Sequence, residues 1–157
     1  MAIIWRLWYS RGMSEMKTVE TDQSVTAYLA GVEPPGRRAD AETVIGWMTE
    51  ISGMTPRLWG DSLIGFGAYS YTRADGSRHR FFRTGLAARK SALSIHVLPA
   101  LAPHRALLEA LGPHRATVSC LYVTRLARVD GAVLRKIIAA GWAEMAERYP
   151  DDTVGGR

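Results

Sequence analysis

The sequence has little cysteine, little lysine and no long apolar run, and each shortage excludes a class of protein. Its 157 residues contain one cysteine, Cys120, so an intramolecular disulfide is impossible and a thiolate metal cluster is disfavoured. A reducing, cytoplasmic location is the simplest expectation for such a chain. The opening apolar run MAIIW stops at Arg6, which is too short for a signal peptide core or a membrane span. We therefore expect no membrane partner.

Lysine is scarce, and arginine carries almost all of the positive charge of the chain. The chain has 17 arginines and 3 lysines, and its formal net charge is +5. The basic residues occur in scattered pairs, whereas a nucleic-acid binder gathers its charge on one face or helix. An apolar content of 47% and a length of 157 residues predict one domain with one core.

We expect residues 24–149 to form this domain, between an N-terminal extension over 1–23 and a flexible tail over 150–157. The extension is expected to be poorly ordered, and its first twelve residues suggest a start site assigned upstream of the true one at Met13. The alternative for those residues is an amphipathic hook that docks on the domain.

Apolar spacing and capping residues predict four helices and four strands. Helices are predicted over about 24–30, 40–52, 103–112 and 130–149. Strands are predicted over about 63–71, 80–86, 92–98 and 119–123. Asp40 and Asp130 are the expected caps of the second and fourth helices. Asp75-Gly76 indicates a hairpin turn between the first two strands.

The predicted order α-α-β-β-β-α-(β)-α keeps most strands apart from the helices, and the hairpin turn favours antiparallel pairing. We therefore predict an α+β two-layer sandwich, with helices packed on an antiparallel sheet of three to five strands.

The first predicted strand is unusual because two glycines share one of its faces with tyrosines. Ile64 and Phe66 alternate with Gly65 and Gly67, and Tyr69 follows on the glycine face. Bare backbone at these positions lets another group approach closely. That group is either a packing ring or helix of the protein itself, or a ligand in a shallow pocket with an aromatic rim.

Several short motifs in combination resemble the YdhG-like family of uncharacterised bacterial domains. The resemblance covers about residues 24–142 and rests on DAE at 40–42, PRLWG at 56–60, GFG at 65–67, RK at 89–90 and SCLY at 119–122. It implies a small cytoplasmic α+β domain related to frataxin-like and YjbR-like folds. Where the family commonly has GKHKxGK, this chain has GPHRATV at 112–118, which has arginine in place of one lysine and lacks the other two lysines and a glycine. An anion site built on those lysines would be weaker here.

The main functional hypothesis is a non-enzymatic module that binds a small anion or a protein partner. Cationic and hydroxyl groups on two later turns would hold the anion, and the aromatic strand would supply an apolar wall. The candidate anion contacts are Arg89, Lys90, His114, Arg115 and Ser119. The candidate wall and close-approach residues are Trp59, Gly65, Phe66, Gly67 and Tyr69.

Two alternatives stay open, and no cofactor is expected. Iron delivery, suggested by the frataxin association, would need a carboxylate cluster that the sequence does not display. Single-stranded nucleic acid could bind a basic hairpin arm that comprises Arg78, His79, Arg80 and Arg83 beside tyrosines. No catalytic motif or cofactor fingerprint occurs, so we expect no enzyme activity and no metal site. The chain is expected to be a monomer or a homodimer.

Overall fold

The computed structural model describes residues 18–150, which contain four α-helices, two three-residue 3₁₀-helices (Ala102–His104 and Leu126–Arg128) and nine strands. The helices are α1 (Val25–Ala30), α2 (Pro35–Ser52), α3 (Arg105–Leu111) and α4 (Gly131–Arg148). The strands are β1 (Glu20–Thr21), β2 (Arg57–Trp59), β3 (Leu63–Phe66), β4 (Tyr69–Thr72), β5 (Arg78–Phe81), β6 (Thr84–Ala88), β7 (Leu93–Val97), β8 (Arg115–Ala116) and β9 (Cys120–Val123). The α+β prediction is confirmed. The expected start at Met13 and residues 151–157 of the expected tail over 150–157 lie outside the described residues.

Seven of these strands form one antiparallel sheet, in the order β1-β2-β3-β6-β7-β9-β8, and β4 pairs only with β5. The sheet is larger than the predicted three to five strands because β1, β2 and β8 were missed. Each of the three has two or three residues, which is too short for an alternating pattern to be visible. Glu20 and Thr21, which were assigned to the disordered extension, pair with Trp59 and Leu58.

The two predicted hairpin strands are each broken in the middle, so the hairpin bends out of the sheet. The part of the hairpin farther from its turn is the β3–β6 pair within the large sheet. The part next to the turn is the separate β4–β5 pair. The bend occurs at Gly67, whose φ of 64° is a conformation that residues with a side chain rarely adopt. Phe82 and Arg83 form the matching break on the return strand.

The helices α2 and α4 pack on one face of the sheet and form the main core with it. Alternation along β7 is as predicted, since Leu93, Ile95 and Val97 are buried in that core. Helix α4 approaches closely at Gly141, where a Cβ atom would lie 2.8 Å from Val97 Cγ1. No helix between residues 18 and 150 is both long enough and apolar enough to cross a membrane.

Ser24 and Asp130 cap their helices through their side chains, and Asp130 accepts a hydrogen bond from Val133 N at 3.2 Å. The prediction for Asp40 was wrong, because α2 begins five residues earlier at Pro35. Proline suits a first helical position, where its missing N–H costs nothing. Asp40 therefore lies inside the helix, and its carboxylate is free to bind elsewhere.

Arg83 is fully buried at the bend and joins it to the end of α4. Its Nε donates to the carbonyl of Ala68 at 2.8 Å, and its two terminal nitrogens donate to the carbonyls of Met145, at 3.1 Å, and Tyr149. A cation at a helix C-terminus is favourable because the exposed carbonyls carry partial negative charge. Arg83 is therefore a structural residue, and it is not available on the basic hairpin arm that the nucleic-acid alternative required.

Candidate functional site

The predicted aromatic wall is part of the protein interior. Phe66 belongs to the main core and is fully buried, and the indole of Trp59 is 1% exposed in a second apolar cluster that also contains Phe82. The face of Gly65 is covered by Phe82, whose Cβ would lie 2.5 Å from a side chain at that position. The ligand interpretation of these three residues was wrong, and the packing interpretation accounts for them.

Gly67 and Tyr69 also lie apart from the basic turns. Gly67 faces Trp142 and Arg83 and borders a small cavity of about 200 Å³, which shares no lining residue with the basic groove described next. The ring of Tyr69 stacks on Tyr71 and contacts Tyr149 at a centroid distance of 4.7 Å. Burial, with the two neighbouring tyrosines, raises the pKa of Tyr69 to about 12. The cavity beside Gly67 and the basic groove are therefore separate features.

The basic half of the predicted site does form a surface feature, a groove of about 450 Å³ at one end of the sheet. Two of its predicted residues, His114 and Arg115, line it. We call this feature the basic groove; the side chains that define it are Ser91, Ala92, Pro113, His114, Arg115, Tyr122, Thr124 and Arg128. None of these lining residues is acidic, and two are arginines.

The groove exists because antiparallel pairing brings three separate turns to the same end of the sheet. Leu93 pairs with Val123, so Ser91 and Ala92 in the β6–β7 turn lie beside Thr124 at the end of β9. Arg115 pairs with Tyr122, so the loop after α3 forms the third wall. Its guanidinium lies over the Tyr122 ring, with Cζ 5.0 Å from the ring centroid. This cation–π contact holds Arg115 against the groove.

Helix α2 fixes the loop that carries Thr124 and Arg128. Arg37 is 5% exposed and donates a hydrogen bond to the carbonyl of Thr124. Asp40 accepts hydrogen bonds from Arg125 Nε at 2.9 Å and from Leu126 N at 3.1 Å. The carboxylate that was expected to cap a helix therefore holds the groove-bearing loop on the core, which gives the cationic side chains a defined base.

The other three predicted anion contacts do not line the groove. Arg89 and Lys90 are exposed in the β6–β7 turn next to Ser91, and Arg89 Nη1 donates to Ser62 Oγ at 3.3 Å, on the side away from the groove. Ser119 contributes to the sheet through its carbonyl, which accepts from Val97 N at 2.8 Å. Sequence reasoning missed Ser91, Thr124 and Arg128 as site residues, since only the strand register brings them together.

A second polar cluster lies on the sheet face opposite the helices, where His96 on β7 is paired with Cys120 on β9. The Cys120 sulfur is 3.9 Å from His96 Nδ1 and 4.0 Å from Nε2. The imidazole also meets the ring of Phe82 edge-on, at a centroid distance of 5.3 Å. Burial, with a smaller effect from the positive charge of Arg89, lowers the pKa of His96 to about 4.

This burial of His96 predicts a pH-dependent stability. An unfolded imidazole titrates near 6.5, so between about pH 4 and 6.5 the unfolded chain binds more protons than the folded chain. The free energy of unfolding should therefore be highest above this window and should fall, by up to about 3 kcal/mol, as the pH drops through it. His96→Gln cannot titrate and should show a flatter dependence.

Urea unfolding of both proteins at a series of pH values checks this expectation, because the comparison cancels the contribution of every other group. Parallel curves for the wild-type chain and His96→Gln would contradict it.

Comparison with protein-family models, with curated proteins and with solved structures finds no match to this chain.

Proposed function

We propose that this protein binds a small anionic ligand, carrying a carboxylate or a phosphate, in the basic groove. The observation that carries the proposal is the lining of the groove, which combines two arginines and a histidine with hydroxyl groups and has no acidic lining residue. A guanidinium suits planar, two-point recognition of carboxylate or phosphate oxygens, and hydroxyls supply further donors. A volume of about 450 Å³ is within the range of small-molecule sites.

Three features support binding at a fixed site over loose attraction of ions to a basic surface. Arg115 is held on the ring of Tyr122, so less side-chain freedom is lost when it binds a ligand. His114 Nδ1 lies 2.8 Å from the carbonyl of Gly112, which orients its ring. The loop that carries Arg128 is anchored on α2 by Asp40. The groove is thus largely formed before a ligand arrives.

The other hypotheses have less structural support. Within residues 18–150, no group of three histidine, cysteine or acidic side chains is placed to hold a metal ion. The basic hairpin arm retains Arg78 and Arg80 but not the buried Arg83. Relationship to the YdhG-like family, absence of enzyme activity and a cytoplasmic location stay predictions from the sequence.

Calorimetric titration with pyrophosphate and with citrate tests the proposal. We expect saturable binding of at least one of these anions by the wild-type chain, and about tenfold weaker binding by Arg115→Ala and by Arg128→Ala. The loss reflects charge-assisted hydrogen bonds, each of which contributes roughly 1.5–3 kcal/mol.

Arg73→Ala is the matched control, because it removes the same charge from an exposed position in the β4–β5 turn. Its affinity for the anion should equal that of the wild-type chain. An equal loss in all three variants would show general electrostatic attraction, and an absence of saturable binding to the wild-type chain would end the proposal.

A further inference from the structure

Part of the basic groove is apolar, although arginines supply its charge. Ala92, Pro113 and the ring of Tyr122 line it beside the polar side chains. Ala92 is almost fully buried, whereas Pro113 is exposed. A phosphate or a carboxylate alone would leave this apolar surface in contact with water. A ligand that also has an apolar body would cover the surface, and it would gain affinity in proportion to the apolar area removed from water.

The Tyr122 ring makes this apolar surface suitable for a flat group. Strand pairing places Tyr122 between Ser94 on β7 and Arg115 on β8. Leu121 and Val123 are buried in the main core, so Tyr122 lies on the sheet face opposite α2 and α4. Its ring is partly exposed, and the guanidinium that lies over it belongs to an exposed residue. Because guanidinium planes stack on aromatic rings, Arg115 and Tyr122 together offer flat surfaces to an aromatic ligand.

The charge of the groove is matched by one anionic head group. Arg115 and Arg128 carry two permanent positive charges, and none of the lining residues is acidic. A single phosphate or carboxylate is therefore sufficient to pair with these arginines. The flat apolar surface lies beside this charge, so one small molecule can contact both.

We propose that the ligand of the basic groove is a small aromatic molecule that carries one phosphate or carboxylate head. This inference rests on the proposed function and adds an aromatic body to the anion. The head binds the two arginines, with hydroxyl groups of the groove as further donors. The aromatic ring packs on Tyr122, Pro113 and Ala92, and it excludes water from them.

Two pairs of anions test the inference: phenyl phosphate against methyl phosphate, and benzoate against acetate. The members of each pair share a head group and differ in the aromatic ring. Titration followed by two-dimensional proton–nitrogen NMR measures weak affinities and identifies the amides that shift. We expect the aromatic member of at least one pair to bind about tenfold more tightly, because its ring is buried and contacts Tyr122. Ring-current shifts at the amides of Ala92 and Tyr122 should accompany its binding.

Substitutions separate recognition of the ring from recognition of the head. Tyr122→Leu keeps an apolar side chain without an aromatic ring, so it should remove most of the preference within a pair, even if the release of Arg115 weakens both members. Tyr122→Phe keeps the ring and should keep the preference. Arg128→Ala should weaken both members equally. Tyr71→Leu, on β4 and outside the groove, is the matched control and should leave both affinities unchanged.

Equal affinities within both pairs would overturn the inference, and so would a preference that persists undiminished in Tyr122→Leu. Pyrophosphate and citrate binding keep this result distinct from failure of the proposed function. If either of these anions binds the wild-type chain saturably while the aromatic anions show no advantage, the groove binds anions without recognising a ring. If none of the six anions binds, both proposals are wrong.

Discussion

Replacing Gly65 by alanine is expected to destabilise the fold by about 3 kcal/mol or more, near the upper end of the cost of overpacking a core. An added Cβ would lie 2.5 to 2.6 Å from three atoms of Phe82, including its Cβ. Because a Cβ atom moves only with the backbone, Phe82 cannot rotate away. The sheet and the bent hairpin would have to separate at this point.

The same substitution at Gly46 is the matched control and should have the opposite sign. Gly46 lies exposed inside α2, and nothing lies within 4 Å of an added Cβ. Alanine there should stabilise the protein by roughly 0.5–1 kcal/mol, because glycine is a poor helix former. Urea unfolding followed by circular dichroism measures both changes. A Gly65→Ala variant as stable as the wild-type chain would refute the close packing of Phe82 on β3.

Replacing Arg83 by methionine is expected to cost about 2–4 kcal/mol, because it removes the hydrogen-bond donor shared by three backbone carbonyls at the bend. Methionine fills much of the same space but donates no hydrogen bond, so the buried carbonyls of Ala68 and Tyr149 lose a donor. Lysine keeps the charge without the planar set of donors, so Arg83→Lys should lie between methionine and the wild-type residue.

Thermal and urea unfolding of the Arg83 variants give the measurement, and Arg73→Met is the control. Arg73 is exposed in the hairpin turn, where a substitution should change stability by about 0.5 kcal/mol or less. If Arg83→Met and Arg73→Met were equally stable, Arg83 would have no role in joining the hairpin to α4.

The parts of the fold that depend on local chemistry were accessible from the sequence. The turn at Asp75-Gly76 joins β4 and β5, Asp130 caps α4, and the alternation of Leu93, Ile95 and Val97 marks a strand with one face in the main core. Each of these features needs only neighbouring residues. The bend at Gly67 was missed because the alternating pattern continues through it without interruption.

The candidate site could be predicted only in part, because it depends on contacts between residues that are far apart in the sequence. His114 and Arg115 stand out as a basic pair after a helix, but Ser91 and Arg128 come from turns that are far apart in the sequence. Their proximity depends on the register of β7 with β9 and on the anchoring of the last loop by Asp40. The aromatic strand was misread because a glycine that admits a ligand and a glycine that admits Phe82 have the same local sequence.

The large sheet ends on each side in a two-residue strand, β1 and β8, within the part of the chain described above. An edge this short presents few unpaired backbone N–H and C=O groups, so a strand from another molecule could form few hydrogen bonds with it. Growth of the sheet into fibrils or strand-exchanged dimers is thereby discouraged. Self-association at the edges of this large sheet should therefore rely on contacts between side chains, and it should respond to surface substitutions there rather than to changes in backbone pairing.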